Sequence, residues 1–125
     1  MALRRDDSGQ GPIVTGFSGR GFRVRDDIFP DGLLLSPVRA MAWSDAPAVA
    51  ALTVGMLGDL FAVDPKPEFL LLGTGAGLHQ PPRAFVRAIE ALGYGVEVMD
   101  SRAAARAWGV LRAEERWIVA ALLPL

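Results

Sequence analysis

The chain has 125 residues, enough for one domain with a real core and too few for two. A hydrophobic fraction of 51% excludes a disordered chain, and a formal net charge of −1 lacks the basic excess that accompanies nonspecific binding of nucleic acid. The absence of cysteine excludes disulfides, thiolate metal sites and cysteine nucleophiles.

Residues 1–11 are polar and contain glycine without any periodicity, which predicts a mobile tail ahead of a single α/β domain at residues 12–125. An early charge cluster stands where a secretory signal would have an apolar run. No apolar stretch approaches the roughly 20 residues that a membrane-spanning helix needs. We therefore expect a cytoplasmic protein with no membrane insertion.

Four short runs of β type follow, separated by glycine, aspartate and proline, at residues 13–17, 21–25, 32–36 and 38–43. In the second run, Phe22 and Val24 alternate with arginines, as in an antiparallel strand with one exposed face. These runs predict an antiparallel meander of three or four strands. Farther on, Thr53 is placed to cap a short helix over residues 54–61.

The second half predicts a parallel β-α-β unit. Residues 69–72 are a continuous apolar run, as expected of a central strand, and two prolines at 81 and 82 open an amphipathic helix that extends to about Leu92. Residues 95–99 are the next strand, and a strand-helix-strand of this length is right-handed and parallel. Ser101 then caps a short alanine-rich helix, and residues 117–123 form a closing strand. The fold class is thus a mixed α/β domain of three layers around one mixed sheet.

Residues 73–77 form a glycine turn between a buried strand and a helix. Such a turn lets backbone amides approach a phosphate, and Asp100 ends the neighbouring parallel strand, where a dinucleotide fold places its ribose-binding acid. The candidate ligand-binding residues are Gly73, Thr74, Gly75, Gly77 and Asp100. The motif lacks the third glycine of G-x-G-x-x-G, so a turn that only needs glycine for positive φ or close packing is the alternative.

Other side chains offer less chemistry. His79, the only histidine, could serve as a base beside Asp100 and Ser101, but a solvent-exposed loop histidine is the simpler interpretation, and one histidine cannot form a histidine metal cluster. Four arginines at helical spacing are candidates for one basic partner-binding surface, with ordinary solvated helix faces as the alternative. They are Arg83, Arg87, Arg102 and Arg106.

Several segments resemble a small α/β family of largely unassigned function, whose eukaryotic relatives include a mitochondrial assembly factor for respiratory NADH dehydrogenase and the adipogenesis-associated protein of animals. The segments are residues 69–75, 95–101, 103–104, 110–111, 115–116 and 119–122. The chain departs from the family at Ser101, where threonine is usual, and at Trp108 and Gly109, where tyrosine and asparagine are commoner. The resemblance implies a three-layer domain with a mixed sheet and with no established enzymatic activity or cofactor.

Two functions follow as hypotheses. The first is a noncatalytic protein-binding or assembly factor for a respiratory or other membrane complex, held at the inner membrane by its protein partner, as the resemblance implies for a bacterial member. The alternative is a binder of a nucleotide or another phosphate-containing small molecule at residues 73–77, with an enzymatic reaction not specified by any motif. We expect no cofactor and no nucleic acid, and we expect a homodimer only because symmetric dimers are common.

Overall fold

Eight strands and two α-helices make up residues 11–125, the part of the chain that the computed structural model describes. The strands are β1 (Gly16–Ser18), β2 (Gly21–Val24), β3 (Asp27–Phe29), β4 (Leu33–Leu35), β5 (Ala40–Ala42), β6 (Phe69–Gly73), β7 (Gly95–Met99) and β8 (Val119–Leu122). The helices are α1 (Arg83–Ala91) and α2 (Ser101–Ala113). The predicted tail at residues 1–11 lies outside the described residues except for Gly11.

A five-stranded mixed sheet in the order β5-β4-β8-β6-β7 forms the centre of the fold. β6 pairs in parallel with β7 on one side and with β8 on the other, while β4 pairs antiparallel with β8 and β5. The parallel β-α-β unit predicted from the second half of the chain is confirmed. The closing strand is confirmed too, and it lies between β4 and β6 rather than at an edge.

Both faces of this sheet are covered, which explains why its central strands are continuously apolar. Leu70 and Leu72 of β6 face the core that contains Phe85 and Ile89 of α1, whereas Leu71 faces the core that contains Trp108 of α2. The two helices therefore lie on opposite faces of the sheet, as right-handed crossovers in opposite directions require. The predicted three-layer α/β class is confirmed.

The amino-terminal meander differs from the prediction. β1, β2 and β3 form a separate three-stranded antiparallel sheet, and β3 was not predicted. β4 and β5 belong to the central sheet instead. The separate sheet packs on the α2 side through Phe22 and Val24, so its buried face is covered by a helix that is distant in the sequence.

The segment after β5 also differs, because it contains no α-helix over residues 54–61. Two short 3-10 helices take its place, Val49–Ala51 and Val54–Leu57, and the Thr53 side chain makes no capping hydrogen bond. Gly58 adopts a positive φ of 59° directly after the second of them. Leu57 and Leu60 are still buried against the α1 side of the sheet. The segment therefore buries these apolar side chains without forming a regular helix.

An exposed ion pair joins the start of β6 to the segment before β8. The guanidinium of Arg116 donates to Oε1 of Glu68 at 2.6 and 2.9 Å, and the amide of Trp117 donates to Oε2 at 3.2 Å. These hydrogen bonds, those of Arg116 first, hold the pKa of Glu68 below its usual value. The same pair raises the pKa of Arg116.

We expect the contribution of Glu68 to stability to disappear in acid. Because the pKa is lower in the folded state, the contribution is fully present above the ordinary pKa of about 4.3 and is lost as pH falls through the folded value. Melting temperatures of the wild type and Glu68→Gln, measured from neutral pH downward, should therefore converge in acid. Glu97→Gln removes the same charge from an exposed strand position and serves as the control. A Glu68→Gln difference that stays constant through the acid range would contradict the assignment.

Candidate functional site

A cleft of about 480 Å³ opens beyond the carboxyl ends of β6 and β8. One wall is the turn after β6 at residues 74–77, and the facing wall is the segment after β8 at residues 123–125. From β6 the chain crosses to β7, which pairs with one side of β6, whereas β8 pairs with the other side of β6. Crevices at such a reversal of strand order, outside the carboxyl ends of parallel strands, are where open α/β sheets bind their ligands.

Thr74 holds the turn together from inside. Its side chain is buried, its Oγ1 lies 2.6 Å from the carbonyl oxygen of Gly77, and it accepts a hydrogen bond from the amide of His79 at 3.1 Å. The amide of Thr74 donates to the carbonyl of Met99, the last residue of β7, at 2.9 Å. The turn is therefore closed by one hydroxyl and is fixed to the neighbouring strand.

Gly73 and Gly75 fit the alternative in which glycine serves close packing. A Cβ on Gly73 would lie 2.9 Å from Cα of Ser101, and Gly75 has φ of +99°. The amide of Gly75 donates to Oγ of buried Ser101 at 2.8 Å, so it is engaged within the protein. Ser101 Oγ in turn donates to the carbonyl of Leu123 at 2.7 Å, which joins both walls of the cleft to the start of α2.

The backbone amides of Gly77 and its neighbour Ala76 remain available to a ligand. Both line the cleft, and within residues 11–125 neither amide donates to a protein acceptor. α1 begins only at Arg83, and residues 78–82 separate it from the glycine turn. The turn therefore does not run directly into a helix, as a dinucleotide-binding turn does.

Asp100 has a different role from the one the sequence indicated. It is the N-cap of α2, accepting a hydrogen bond from the amide of Ala103 at 2.8 Å, and it is not among the residues that line the cleft. The predicted cap, Ser101, is instead the first residue of the helix. α2 also extends to Ala113, beyond the end predicted near Trp108, because Trp108 and Arg112 continue its buried face.

Two further polar side chains, those of Arg20 and His79, line the cleft. Arg20, in the loop between β1 and β2, lines the cleft, and its Nε donates to the backbone oxygen of Leu125 at 2.8 Å. His79 lines it from the loop after the glycine turn and is exposed. No local pattern could connect Arg20 with residues so distant in the sequence, whereas the position of His79 beside the turn was a usable signal.

The four candidate arginines do not form one surface. Arg83 and Arg87 lie on α1 and Arg102 and Arg106 on α2, on opposite faces of the central sheet. The guanidinium of Arg102 lies 5.5 Å from the ring centre of Phe17 in the separate sheet. A single basic patch near the glycine turn is therefore wrong, and a partner-binding role for either pair stays a prediction.

A second groove, of about 340 Å³, lies at the opposite end of β8. Val38 and Met41 of the β4-β5 hairpin line it together with Trp117, and Val38 is 67% exposed. Asp59 and Asp64 add two carboxylates to its lining, and Arg39 adds a guanidinium. The groove is thus a mainly apolar surface with both acidic and basic groups beside it.

Comparison with known proteins gives consistent relatives. A family model described as "Protein of unknown function (DUF498/DUF598)" matches residues 14–123. An uncharacterized protein of Rhodobacter capsulatus is 33% identical over 112 residues, covering 90% of this chain and 84% of that protein. NADH dehydrogenase [ubiquinone] 1 alpha subcomplex assembly factor 3 of Danio rerio is 24% identical over 124 residues, covering 99% and 71%.

The fold recurs in a solved structure of similar size. The crystal structure of a Bordetella parapertussis protein matches with a TM-score of 0.80 and 34% identity, covering 91% of this chain and 96% of that one. The resemblance inferred from the sequence, to a family that includes an NADH dehydrogenase assembly factor, is confirmed. Among the helices of residues 11–125, none combines the length and apolarity needed to span a bilayer.

Proposed function

The chain belongs to the DUF498/DUF598 family, and from that membership we propose that it is a noncatalytic protein-binding domain that assists assembly of a membrane complex. The observation that carries this proposal is the match to the Danio rerio assembly factor over 99% of the chain. Because the similarity extends over the whole domain, the relevant surface belongs to the domain itself. Its place of action would be the periphery of the membrane, reached through its protein partner.

The groove beside Trp117 supports protein binding. Apolar side chains there are accessible, with Val38 two-thirds exposed next to Met41, and apolar groups that become desolvated at the centre of an interface carry much of its binding energy. The carboxylates of Asp59 and Asp64 and the guanidinium of Arg39 offer polar contacts beside the apolar surface, so a partner with an apolar side chain and complementary charges would fit it.

Affinity purification from the native cells tests this proposal. We expect the tagged protein to recover subunits of a respiratory or other membrane complex. We expect Val38→Asp to reduce that recovery about tenfold or more, because burying an unpaired carboxylate in an apolar contact costs more than the roughly 1.4 kcal/mol that a tenfold change represents. Val110→Asp is the matched control, because Val110 is 60% exposed on α2, away from the groove. The absence of reproducible partners, together with normal complex assembly after gene deletion, would exclude the proposal.

The cleft favours a second candidate function, the binding of a nucleotide or phosphate-containing small molecule at residues 73–77. The supporting observation is the position of the cleft at the carboxyl ends of parallel strands, with Ala76 and Gly77 in its wall. The residues Gly73 and Asp100 would then act indirectly, through close packing and helix capping. A phosphate-bearing ligand of this kind would raise the melting temperature, because it binds only the folded chain.

A further inference from the structure

We propose that the outer edge of β7 binds an extended segment of a partner protein, which adds an antiparallel strand to the central sheet and places a basic side chain opposite Glu97. This inference rests on the proposed partner-binding function and names a kind of partner segment for it. The edge lies across the sheet from the groove beside Trp117, because β7 and β5 are the two outermost strands and the groove is lined by the β4-β5 hairpin. The two surfaces can therefore be tested separately.

The backbone groups of Val96 and Val98 point away from the sheet. The amide of Thr74 donates to the carbonyl oxygen of Met99 at 2.9 Å, so the backbone of Met99 faces β6. Along a strand, the N–H and C=O groups of successive residues point to opposite sides, so those of Glu97 also face β6, whereas those of Val96 and Val98 face outward. Within the described part of the chain, β7 pairs with no strand other than β6, and no other group forms a hydrogen bond with these outward groups.

β7 lacks the features that usually protect an edge strand from pairing with another chain. Its five residues include no proline and no lysine, and they pair with β6 in continuous register, without a bulge. The other edge strands of residues 11–125, which are β1, β3 and β5, have only three residues each. β7 is therefore the longest edge of the described fold and the one best suited to strand addition, in which main-chain hydrogen bonds supply affinity.

The side chains of β7 define what the incoming strand should carry. Val96 and Val98 are half-buried and pack on the α1 side, which leaves apolar surface beside the edge. Glu97 points to the opposite face and is exposed, and its carboxylate has no ion pair or hydrogen bond with residues 11–125. Because directly opposed residues of paired strands share a face, the matching segment reads apolar, basic, apolar, with lysine or arginine opposite Glu97.

A second copy of this chain is a poorer occupant of the edge. Two antiparallel copies of β7 that pair Val96 with Val98 place the two Glu97 side chains directly opposite each other, where like charges destabilise the pair. The neighbouring registers place Glu97 opposite Gly95 or Met99 and leave the two carboxylates as diagonal neighbours. A basic residue of another protein removes this repulsion and adds an attraction, so charge complementarity favours a partner over a self-dimer.

Hydrogen exchange of the full chain with two synthetic peptides tests the inference. The peptides are capped at both ends and read Thr-Thr-Val-Lys-Val-Thr-Thr and Thr-Thr-Val-Glu-Val-Thr-Thr, each at millimolar concentration. We expect the lysine peptide to slow exchange of the outward amides of Val96 and Val98, while the amide of Glu97, which already faces β6, is unchanged. Its Kd should be lower than that of the glutamate peptide by about threefold or more, because a cross-strand pair of opposite charges is favoured over one of like charges.

Three variants separate edge pairing from other effects. Val98→Pro removes an outward N–H that makes no hydrogen bond in the sheet, and edge strands tolerate proline, so it should abolish binding while the fold is kept. Glu97→Lys changes an exposed side chain and should reverse the preference, so that the glutamate peptide binds more tightly; it tests the same edge if Val98→Pro fails to fold. Val38→Asp changes the groove beside Trp117 and should leave the Kd of the lysine peptide unchanged.

The outcomes are distinct. Slower exchange at Val96 and Val98, with a peptide preference that Glu97→Lys reverses, supports the inference. No protection of these amides by either peptide, or equal Kd values for the two peptides, overturns it. Protection that appears without peptide and rises with protein concentration, together with a dimer in sedimentation, shows that a second copy occupies the edge and also overturns it. Recovery of membrane-complex subunits is measured separately, so failure at this edge leaves the partner-binding proposal intact.

Discussion

Replacing Trp108 with alanine is expected to lower the free energy of unfolding by about 3–5 kcal/mol, the usual cost of truncating a large buried aromatic side chain. Trp108 is fully buried between α2 and the central sheet, and it belongs to the same core as Phe22 of the separate sheet. Its Nε1 also donates to the carbonyl oxygen of Pro12 at 2.9 Å. The loss would therefore loosen the attachment of the amino-terminal strands as well as the core.

Chemical denaturation monitored by circular dichroism measures this effect. Trp108→Phe is the matched variant, because it keeps a large ring but leaves the carbonyl of Pro12 without its donor, and we expect it to cost about 1–3 kcal/mol. A Trp108→Ala variant within about 1 kcal/mol of the wild type would show that this core can collapse around the missing ring.

Ser101→Ala is expected to cost about 2–4 kcal/mol, a large effect for the loss of one oxygen atom, because it leaves one buried donor and one buried acceptor unpaired at about 1–3 kcal/mol each. The hydroxyl accepts from the amide of Gly75 and donates to the carbonyl of Leu123, and Ser101 is fully buried. Because these groups belong to the two walls of the cleft, the variant should also loosen the candidate ligand site.

Equilibrium unfolding and hydrogen exchange of the Gly75 amide test this prediction together. Ser18→Ala is the control, since the Ser18 side chain makes no hydrogen bond with residues 11–125 and its loss should change stability by no more than about 0.5 kcal/mol. Unchanged protection of the Gly75 amide in Ser101→Ala would refute the link between Ser101 and the cleft.

Local patterns determined much of the carboxyl-terminal half. The β-α-β unit could be predicted from neighbouring residues, because each of its elements has a local pattern of its own. These patterns are the apolar run at β6, the helical spacing of Phe85 and Ile89, and the alternating run at β7. The glycine turn was placed correctly between strand and helix for the same reason. Phe22 and Val24 likewise predicted an antiparallel strand with one buried face.

Only the tertiary structure decided that β8 lies between β4 and β6 and which distant side chains meet. Burial on opposite faces of one sheet separated the arginines of α1 from those of α2. Asp100 rather than Ser101 caps α2. The Ser101 hydroxyl lies inside the protein, where it joins Gly75 to Leu123. Arg20 reaches the cleft through hydrogen bonds to Leu125, 105 positions away, and a contact over that separation has no periodicity in the sequence from which it could be predicted.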